Sequence, residues 1–274
     1  FFGVAFVLGL LLGGGGSALA ALVLAGWLFP FIFALCFAVG AAGIWLSLAF
    51  LAQTREPAQP PAPGAAGAQL NRDYARRLWA ILRRDGNFRA YLASRWLSYL
   101  GGMAAGFLAV YAVQRFGLGD DAAAVFTGIL FGAGVVGYAI WGGVGDRYGH
   151  KRVMVLAAAL WLASLAAAML AGQAWGFYLA FALMGLSSSA GTLSDLNLAM
   201  EFGPEAERPT YVGLARTISG PALLIAPVFG GLLAQTWGYP ALLATSFGFA
   251  FAGGLWLALG VREPRQVSRP AGPG

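Results

Sequence analysis

The sequence is poor in charge and in the side chains on which most catalysis depends. Only 10% of its 274 residues are charged, and it contains one histidine and one cysteine. A soluble domain is nearer a quarter charged, so these residues are too few to coat a water-soluble protein of this length. One cysteine excludes an internal disulfide, and Cys36, which stands in an apolar run, is interpreted as a packing residue.

Sequence motifs of enzymes are also missing. We find no phosphate-binding glycine loop followed by lysine, no Gly-x-Ser-x-Gly motif, and no cysteine and histidine residues at metal-ligand spacing. The loops are too short to hold a catalytic domain. We therefore predict that the protein is not an enzyme and has neither catalytic residues, nor a metal site, nor a cofactor, although a coupling ion, H⁺ or Na⁺, stays open.

Apolar residues are abundant instead. They make up 59% of the chain, and the mean hydropathy is +0.72. The 41 glycines show no collagen period, and they favour close helix packing in lipid. A spanning helix needs about 20 mostly apolar residues. Eight segments satisfy this, at about 1–24, 28–52, 90–113, 122–144, 153–171, 175–199, 210–234 and 239–261. The predicted fold is all-α, a polytopic transmembrane helical bundle.

Residues 53–89 form the one long connection between these segments. Their first part, 57–64, is rich in proline and predicts an extended linker. A basic amphipathic helix is predicted next, because apolar residues recur every four positions among arginines, at Leu70, Tyr74, Leu78 and Leu82. Two interpretations stay open: the helix lies along an anionic membrane surface, or it is a solvated charged run that only fixes the orientation.

Basic residues are distributed unevenly between the two sides of the predicted bundle. They concentrate in 53–89, in 147–152 and after residue 261, whereas Arg115 alone is predicted in a loop on the other side. Because such residues collect in cytoplasmic loops, we predict that the linker and the C-terminus are cytoplasmic, in a plasma (inner) membrane. The net charge of +6 is explained by this bias, and we predict no nucleic-acid partner.

Two short patterns repeat along the chain. A Trp-x-x-Pro pattern begins segment 28–52 and segment 239–261, and Arg-Glu-Pro follows both. The matching residues are Trp27 and Pro30 with Trp237 and Pro240, and Arg55 and Pro57 with Arg262 and Pro264. Two matches at nearly equal separation indicate duplicated halves of six helices each.

The connection after segment 122–144 carries the most specific pattern. Residues 142–151 read Gly-Gly-Val-Gly-Asp-Arg-Tyr-Gly-His-Lys, which resembles the loop G-x-L-a-D-r-x-G-r-k of the major facilitator superfamily. In that family the loop joins the second and third helices of a six-helix half, its position here when helices are counted from residue 90. The residues that match are Gly142, Asp146, Arg147, Gly149 and Lys151.

Three positions of this loop depart from the family pattern. Val144 replaces leucine, Gly145 replaces alanine, and His150 replaces arginine. His150 is interpreted as a solvated loop histidine. The drug–proton antiport pattern of the family is absent from the first segment, since residues 9–16 contain no proline.

The resemblance implies a twelve-helix transporter fold, of which the chain holds about eight helices, five to twelve. The absence of an initial methionine fits the expectation that an N-terminal part is missing. The predicted divisions are 1–52, the last two helices of the N-terminal half; 53–89, the cytoplasmic linker; 90–262, the C-terminal half; and 263–274, a cytoplasmic tail.

Three ionisable residues stand inside predicted spanning segments, where each costs about 2.5–3.5 kcal/mol. At 1.5 Å per residue, Arg95, Asp195 and Arg216 all lie roughly 8–9 Å from the cytoplasmic surface. Equal depth predicts an ion-paired gating cluster, and exchanging Asp195 with Arg216 would test it. The alternative is that both arginines extend to the interface and Asp195 caps a neighbouring group.

Helix ten of the implied fold is the most polar segment. The family lines its central cavity with the first and fourth helices of each half, which are helices seven and ten here. The resemblance therefore implies substrate-binding candidates, and they are Tyr99, Ser188, Thr192 and Asp195. The alternative for the serines is helix packing, and Gly102 with Gly106 is interpreted as a packing pair.

Together these features predict a secondary active transporter of a small solute that works by alternating access. A lean toward export rests on apolar, aromatic-rich helices, with 20 phenylalanines and 9 tryptophans. The predicted partners are a small-molecule substrate and the lipid bilayer, and the protein is expected to be a monomer. The alternative is a non-transporting receptor or scaffold on the same fold, or an inactive fragment.

Overall fold

The computed structural model describes residues 8–9, 31–54, 72–119 and 121–264. The chain divides into two compact units near residue 70. The first unit contains helix α1 (Phe31–Ala52), whose sequence is apolar apart from one serine and contains no charged residue. The predicted segment 1–24, apart from 8–9, and the proline-rich part 57–64 lie outside the described residues.

The second unit is built from helices only, in the part of it that is described. They are α2 (Arg72–Arg84), α3 (Gly86–Gly101), α4 (Leu108–Phe116), α5 (Asp121–Tyr148), α6 (His150–Leu170), α7 (Trp175–Phe202) and α8 (Arg208–Gly260), with 3₁₀ turns at Ala105–Phe107 and Glu205–Glu207. Non-helical backbone at Gly238 (φ 81°, ψ 171°) divides α8 into two limbs, 208–237 and 239–260. A Cβ on Gly230 would lie 3.3 Å from Leu242 Cδ1, so the limbs fold back on each other.

Within the described residues, five stretches are long and apolar enough to cross a membrane. They are Gly86–Phe116, Ala122–Tyr148, His150–Leu170, Trp175–Phe202 and Glu205–Gly260. Because the last stretch folds back at Gly238, they supply six crossings, which correspond to the six segments predicted between residues 90 and 261. The prediction of an all-α polytopic helical bundle is confirmed.

Three buried apolar clusters hold the described helices together, and the two larger ones lie at opposite ends of the bundle. Phe126, Phe177 and Leu242 belong to one cluster, and Phe88 and Tyr211 belong to the other. The ring centroids of Phe88 and Tyr211 are 4.7 Å apart in an edge-on arrangement that aromatic pairs favour. Between these clusters α3 packs against α8, and α7 packs against both α5 and α6.

Helix α2 is docked by its apolar face onto the second cluster. Ile81 is buried there, and Leu78 and Leu82 pack beside it. Leu78, Ile81 and Leu82 thus pack on protein, and contact of this helix with a membrane surface stays a prediction. Arg83 and Trp79 remain exposed on the outer face, with the guanidinium 5.4 Å from the indole ring.

The helix ends next to α2 are joined by polar contacts. Arg84 forms an ion pair of 2.8 Å with Glu207. Asn87 donates to the carbonyl of Arg262 at 3.0 Å and accepts from its backbone N–H at 2.7 Å. These contacts link the end of α2 and the start of α3 to the two ends of α8.

Candidate functional site

The three ionisable residues predicted at one depth meet where α3, α7 and α8 converge. Arg95 Nε lies 2.9 Å from Asp195 Oδ1, and Arg216 Nη1 lies 3.3 Å from Asp195 Oδ2. One carboxylate thus bridges two arginines from different helices. The role of this cluster in gating stays a prediction.

Two tyrosines complete the surroundings of this cluster. Tyr91 donates its hydroxyl to Asp195 Oδ1 at 2.7 Å, and the guanidinium of Arg95 lies 4.4 Å from the ring centre of Tyr99. Sequence reasoning missed Tyr91, although it stands one helical turn before Arg95 on α3 and therefore on the same face. These contacts offset the cost of removing Arg95 and Asp195 from water.

The three charged side chains differ in exposure. Arg95 and Asp195 keep only 15% and 13% of their side-chain surface accessible, whereas Arg216 keeps 59%. The first two therefore form the buried part of the cluster. Arg216 reaches the same carboxylate from the open side.

A cavity of about 480 Å³ opens beside this cluster. All six predicted binding and gating residues line it: Arg95, Tyr99, Ser188, Thr192, Asp195 and Arg216. On α7 the side chains of Ser188 and Thr192 are exposed, and with Asp195 they recur at the four- and three-residue spacing that defines one helix face. The structure brings these residues together, and their contact with a substrate stays a prediction.

The rest of the cavity wall is mainly apolar. Met154, Trp161, Met184 and Leu223 contribute to it, and none of these residues was predicted. Trp161 donates its indole N–H to the carbonyl of Gly101 at 2.8 Å, which fixes the ring in the wall. Their apolar character gave no signal in the sequence, because most residues of every spanning helix are apolar.

The backbone of the first span is interrupted beside the cavity. Helix α3 ends at Gly101, a 3₁₀ turn follows at Ala105–Phe107, and α4 begins only at Leu108. The prediction of one continuous helix over 90–113 is therefore wrong at its middle. So is the interpretation of Gly102 and Gly106 as a packing pair, since no other helix stands within 4 Å of a Cβ built on either.

A close approach of two helices accounts for this interruption. A Cβ on Gly101 would lie 2.5 Å from the backbone nitrogen of Ala250. The carbonyl of Gly101 also accepts from Trp161 and from Ser246, in place of the helical hydrogen bond. Irregular backbone at membrane depth is tolerated where other groups satisfy it or where it lines a cavity, and both conditions hold here.

The loop that carries the family pattern is a turn of one residue. Gly142, Asp146 and Arg147 lie in the last two turns of α5, and Lys151 lies in the first turn of α6. Between the helices stands Gly149, at φ 91° and ψ 147°. Lys151 donates to the carbonyl of Ala258 at 3.0 Å, which ties this turn to the end of α8.

His150 is buried, with 5% of its surface exposed, so its interpretation as a solvated loop histidine is wrong. Its Nδ1 lies 3.4 Å from the hydroxyl of Ser194, the neighbour of Asp195 in sequence. The ring rests on Gly145, where an added Cβ would lie 2.7 Å from His150 Cε1. Two departures from the family pattern, Gly145 and His150, are therefore in contact with each other.

Metal binding finds no support among the residues that the structure describes. In those ranges no three His, Cys, Asp or Glu side chains come close enough to hold an ion. The ionisable groups at the cavity are instead engaged with one another.

Comparison with known proteins decides the family. The model of the Major Facilitator Superfamily matches residues 91–274, which is more than half of the chain. The chain belongs to this superfamily. The loop pattern at 142–151, the helical bundle and the cavity between α3, α6, α7 and α8 are thus features of a major facilitator chain.

Curated relatives are named for drug resistance. Multidrug resistance protein MdtG of Citrobacter koseri is 32% identical over 162 residues, which cover 56% of this chain and 39% of that protein. The proteins of the same name from Klebsiella pneumoniae and Escherichia coli are 30% and 31% identical over the same shares. The aligned part thus spans well under half the length of these relatives.

Proposed function

We propose that the protein is a secondary active transporter that exports an amphipathic small solute through the inner membrane by alternating access. The observation that carries this proposal is the cavity of about 480 Å³ next to a shared ion cluster on three helices. Pockets of this size suit drug-sized ligands. The names of the relatives support export, and a multidrug solute is consistent with the largely apolar walls.

The residues that line the cavity have two proposed roles: some contact the solute, and others close a gate. Tyr99, Ser188 and Thr192 present a ring and two hydroxyls to the solute. Asp195 links α7 to the arginines of α3 and α8, so its ion pairs hold three helices together at one end of the bundle. We propose that these pairs form with one gate closed and separate when the gate opens.

Transport is tested in vesicles that contain the purified protein. A panel of amphipathic solutes is loaded, an ion gradient is imposed, and solute flux is compared with that of empty vesicles. We expect protein-dependent flux, with a half-saturating concentration several-fold higher for Thr192→Val than for the unmodified protein. Thr236→Val is the matched control, because Thr236 is exposed and does not line the cavity.

The same experiment separates a transporter from a receptor on the same fold. A receptor would be stabilised by a solute against thermal unfolding but would move none of it across the membrane. Stabilisation without flux, for solutes that bind in the cavity, would overturn the transport proposal.

A further inference from the structure

The cavity carries an excess of positive charge. Two arginines and one aspartate are the charged side chains among the described residues that line it. In a cavity with apolar walls, an unbalanced charge attracts a ligand of the opposite sign and disfavours one of the same sign.

The charge of Asp195 is balanced mainly by one of the two arginines, Arg95. Asp195 Oδ1 accepts from Tyr91 at 2.7 Å and meets Arg95 Nε at 2.9 Å, and both partners are buried or nearly so. The Tyr99 ring covers the guanidinium of Arg95 as well. Arg95 and Asp195 therefore form a neutral pair that offers a ligand little free charge.

Arg216, in contrast, remains able to bind a ligand in the cavity. It meets the other carboxylate oxygen at 3.3 Å, the longer of the two ion pairs, and 59% of its side chain is accessible. A guanidinium has five N–H donors in a planar fork that matches a carboxylate or a phosphate. An incoming anion can thus bind Arg216 while Asp195 stays with Arg95 and Tyr91.

The remaining walls define the rest of the ligand. Trp161, Met184 and Leu223 present ring and apolar surface, and Ser188 and Thr192 present hydroxyl groups on the exposed face of α7. A volume of about 480 Å³ accommodates a molecule with one or two rings.

We propose that the substrate is an organic anion: a single carboxylate or phosphate group that binds Arg216, carried on an apolar, ring-containing body. This inference rests on the proposed transport function and names its substrate class. Neutral analogues bind more weakly since Arg216 then gains no partner. Cations bind worst since the unbalanced charge of Arg216 opposes them.

Three probes of nearly equal shape and different charge test the proposal. They are 1-naphthylacetate, 1-naphthylacetamide and 1-naphthylethylamine, which carry negative, zero and positive charge. Their binding is measured by quenching of naphthyl fluorescence, and their movement is measured as flux in protein-containing vesicles. We expect the anion to bind at least tenfold more tightly than the amide.

Variants of Arg216 identify the group responsible. Arg216→Gln should remove the tenfold preference for the anion over the amide, and Arg216→Lys should keep part of the preference. The matched control is Arg208→Gln, on the same helix but exposed at its start and outside the cavity. This control should bind all three probes like the unmodified protein.

The outcomes separate the substrate class from the function. Equal or tighter binding of the amide or amine, or an anion preference that survives Arg216→Gln, would overturn the anion site. Flux of the amide or amine without the anion would leave transport intact and overturn the site. Anion binding through Arg216 with no flux of any probe would keep the site and overturn transport.

Discussion

Asp195 shows how a single residue can tie three helices together. Its two oxygens face Arg95 on α3 and Arg216 on α8, and Tyr91 adds a hydrogen bond. Removing one partner of a buried ion pair typically costs about 3–5 kcal/mol, because the other charge is left unpaired. The sharing also changes what a charge-exchange experiment should show.

Exchanging the two charges of each pair should give different results. Asp195→Arg with Arg216→Asp would set the new arginine against Arg95, so we expect no rescue of the stability lost in the single variants. Asp195→Arg with Arg95→Asp recreates the buried pair, while the exposed Arg216 can turn toward solvent. We expect partial rescue there, measured as the midpoint of thermal unfolding and as solute flux.

Two other results of these charge exchanges would contradict this expectation. Equal rescue in both exchanges would mean that the two arginines contact Asp195 independently. No rescue in either exchange would show that the three residues do not act as one cluster.

Gly145 and His150 form the second informative contact between single residues. Gly145→Ala would bring a Cβ to 2.7 Å from the buried imidazole, and such overpacking costs about 1–3 kcal/mol. We expect Gly145→Ala with His150→Ala to cost clearly less than the sum of the two single variants. The free energy of unfolding in detergent checks this double-mutant cycle.

Gly143→Ala is the control for this cycle. It lies on the same helix, and nothing stands within 4 Å of the added Cβ. We expect this variant to be as stable as the unmodified protein or slightly more stable, because alanine favours a helix. Strict additivity in the cycle would show that Gly145 and His150 do not share space.

At the scale of elements, the turn between α5 and α6 depends on one backbone conformation. Gly149 has φ 91° and ψ 147°, a region open almost only to glycine. A Cβ there would also lie 3.0 Å from Glu263 Oε1. We expect Gly149→Ala to destabilise the protein by about 1–3 kcal/mol in thermal or denaturant unfolding.

The turn between α6 and α7 supplies the control for Gly149. Gly172, between α6 and α7, has no positive φ, and nothing stands within 4 Å of a Cβ built on it. Gly172→Ala should change the unfolding midpoint little. A similar loss of stability in both variants would mean that the positive φ at Gly149 is not the cause.

Proline and glycine behave differently in two neighbouring elements. Helix α8 keeps helical backbone through Pro221 and Pro227 and breaks only at Gly238. The span from 86 to 116 contains no proline, yet it is interrupted after Gly101. The limits of the apolar segments 210–234 and 239–261 therefore located the fold-back. They did not reveal the interruption after Gly101, where the backbone closely approaches Ala250.

At the scale of the whole molecule, the orientation in the membrane stays a prediction from charge. We expect Arg208→Cys to react with a membrane-impermeant maleimide only in inverted vesicles, and Arg115→Cys only in intact cells. Both are made in a Cys36→Ser background, and both positions are exposed. The physical reason is that basic loops remain on the cytoplasmic side.

Labelling of the Cys36→Ser background alone should be absent, because Cys36 is the one cysteine in the chain. The reverse pattern of labelling would place residue 208 outside the cell and contradict the predicted orientation. It would also reverse the direction from which a solute reaches the cavity in the proposed export.

Sequence alone was enough for the broad architecture and for much of the candidate site. Apolar segments of spanning length predicted the helical bundle, since lipid admits only backbone that is satisfied within its own segment. The residues Arg95, Asp195 and Arg216 were predicted at equal depth because charges in such segments are few and costly. The rise per residue of a helix gave their depth from the cytoplasmic surface. In the structure both arginines contact Asp195.

Tertiary structure decided what depends on neighbours from distant parts of the chain. It set the sharing of Asp195 between two arginines, the addition of Tyr91, the burial of His150 on Gly145, and the docking of α2 on the second cluster. Residue type and helix period do not specify which partner stands opposite. That choice follows from how whole helices pack, and only the folded chain fixes it.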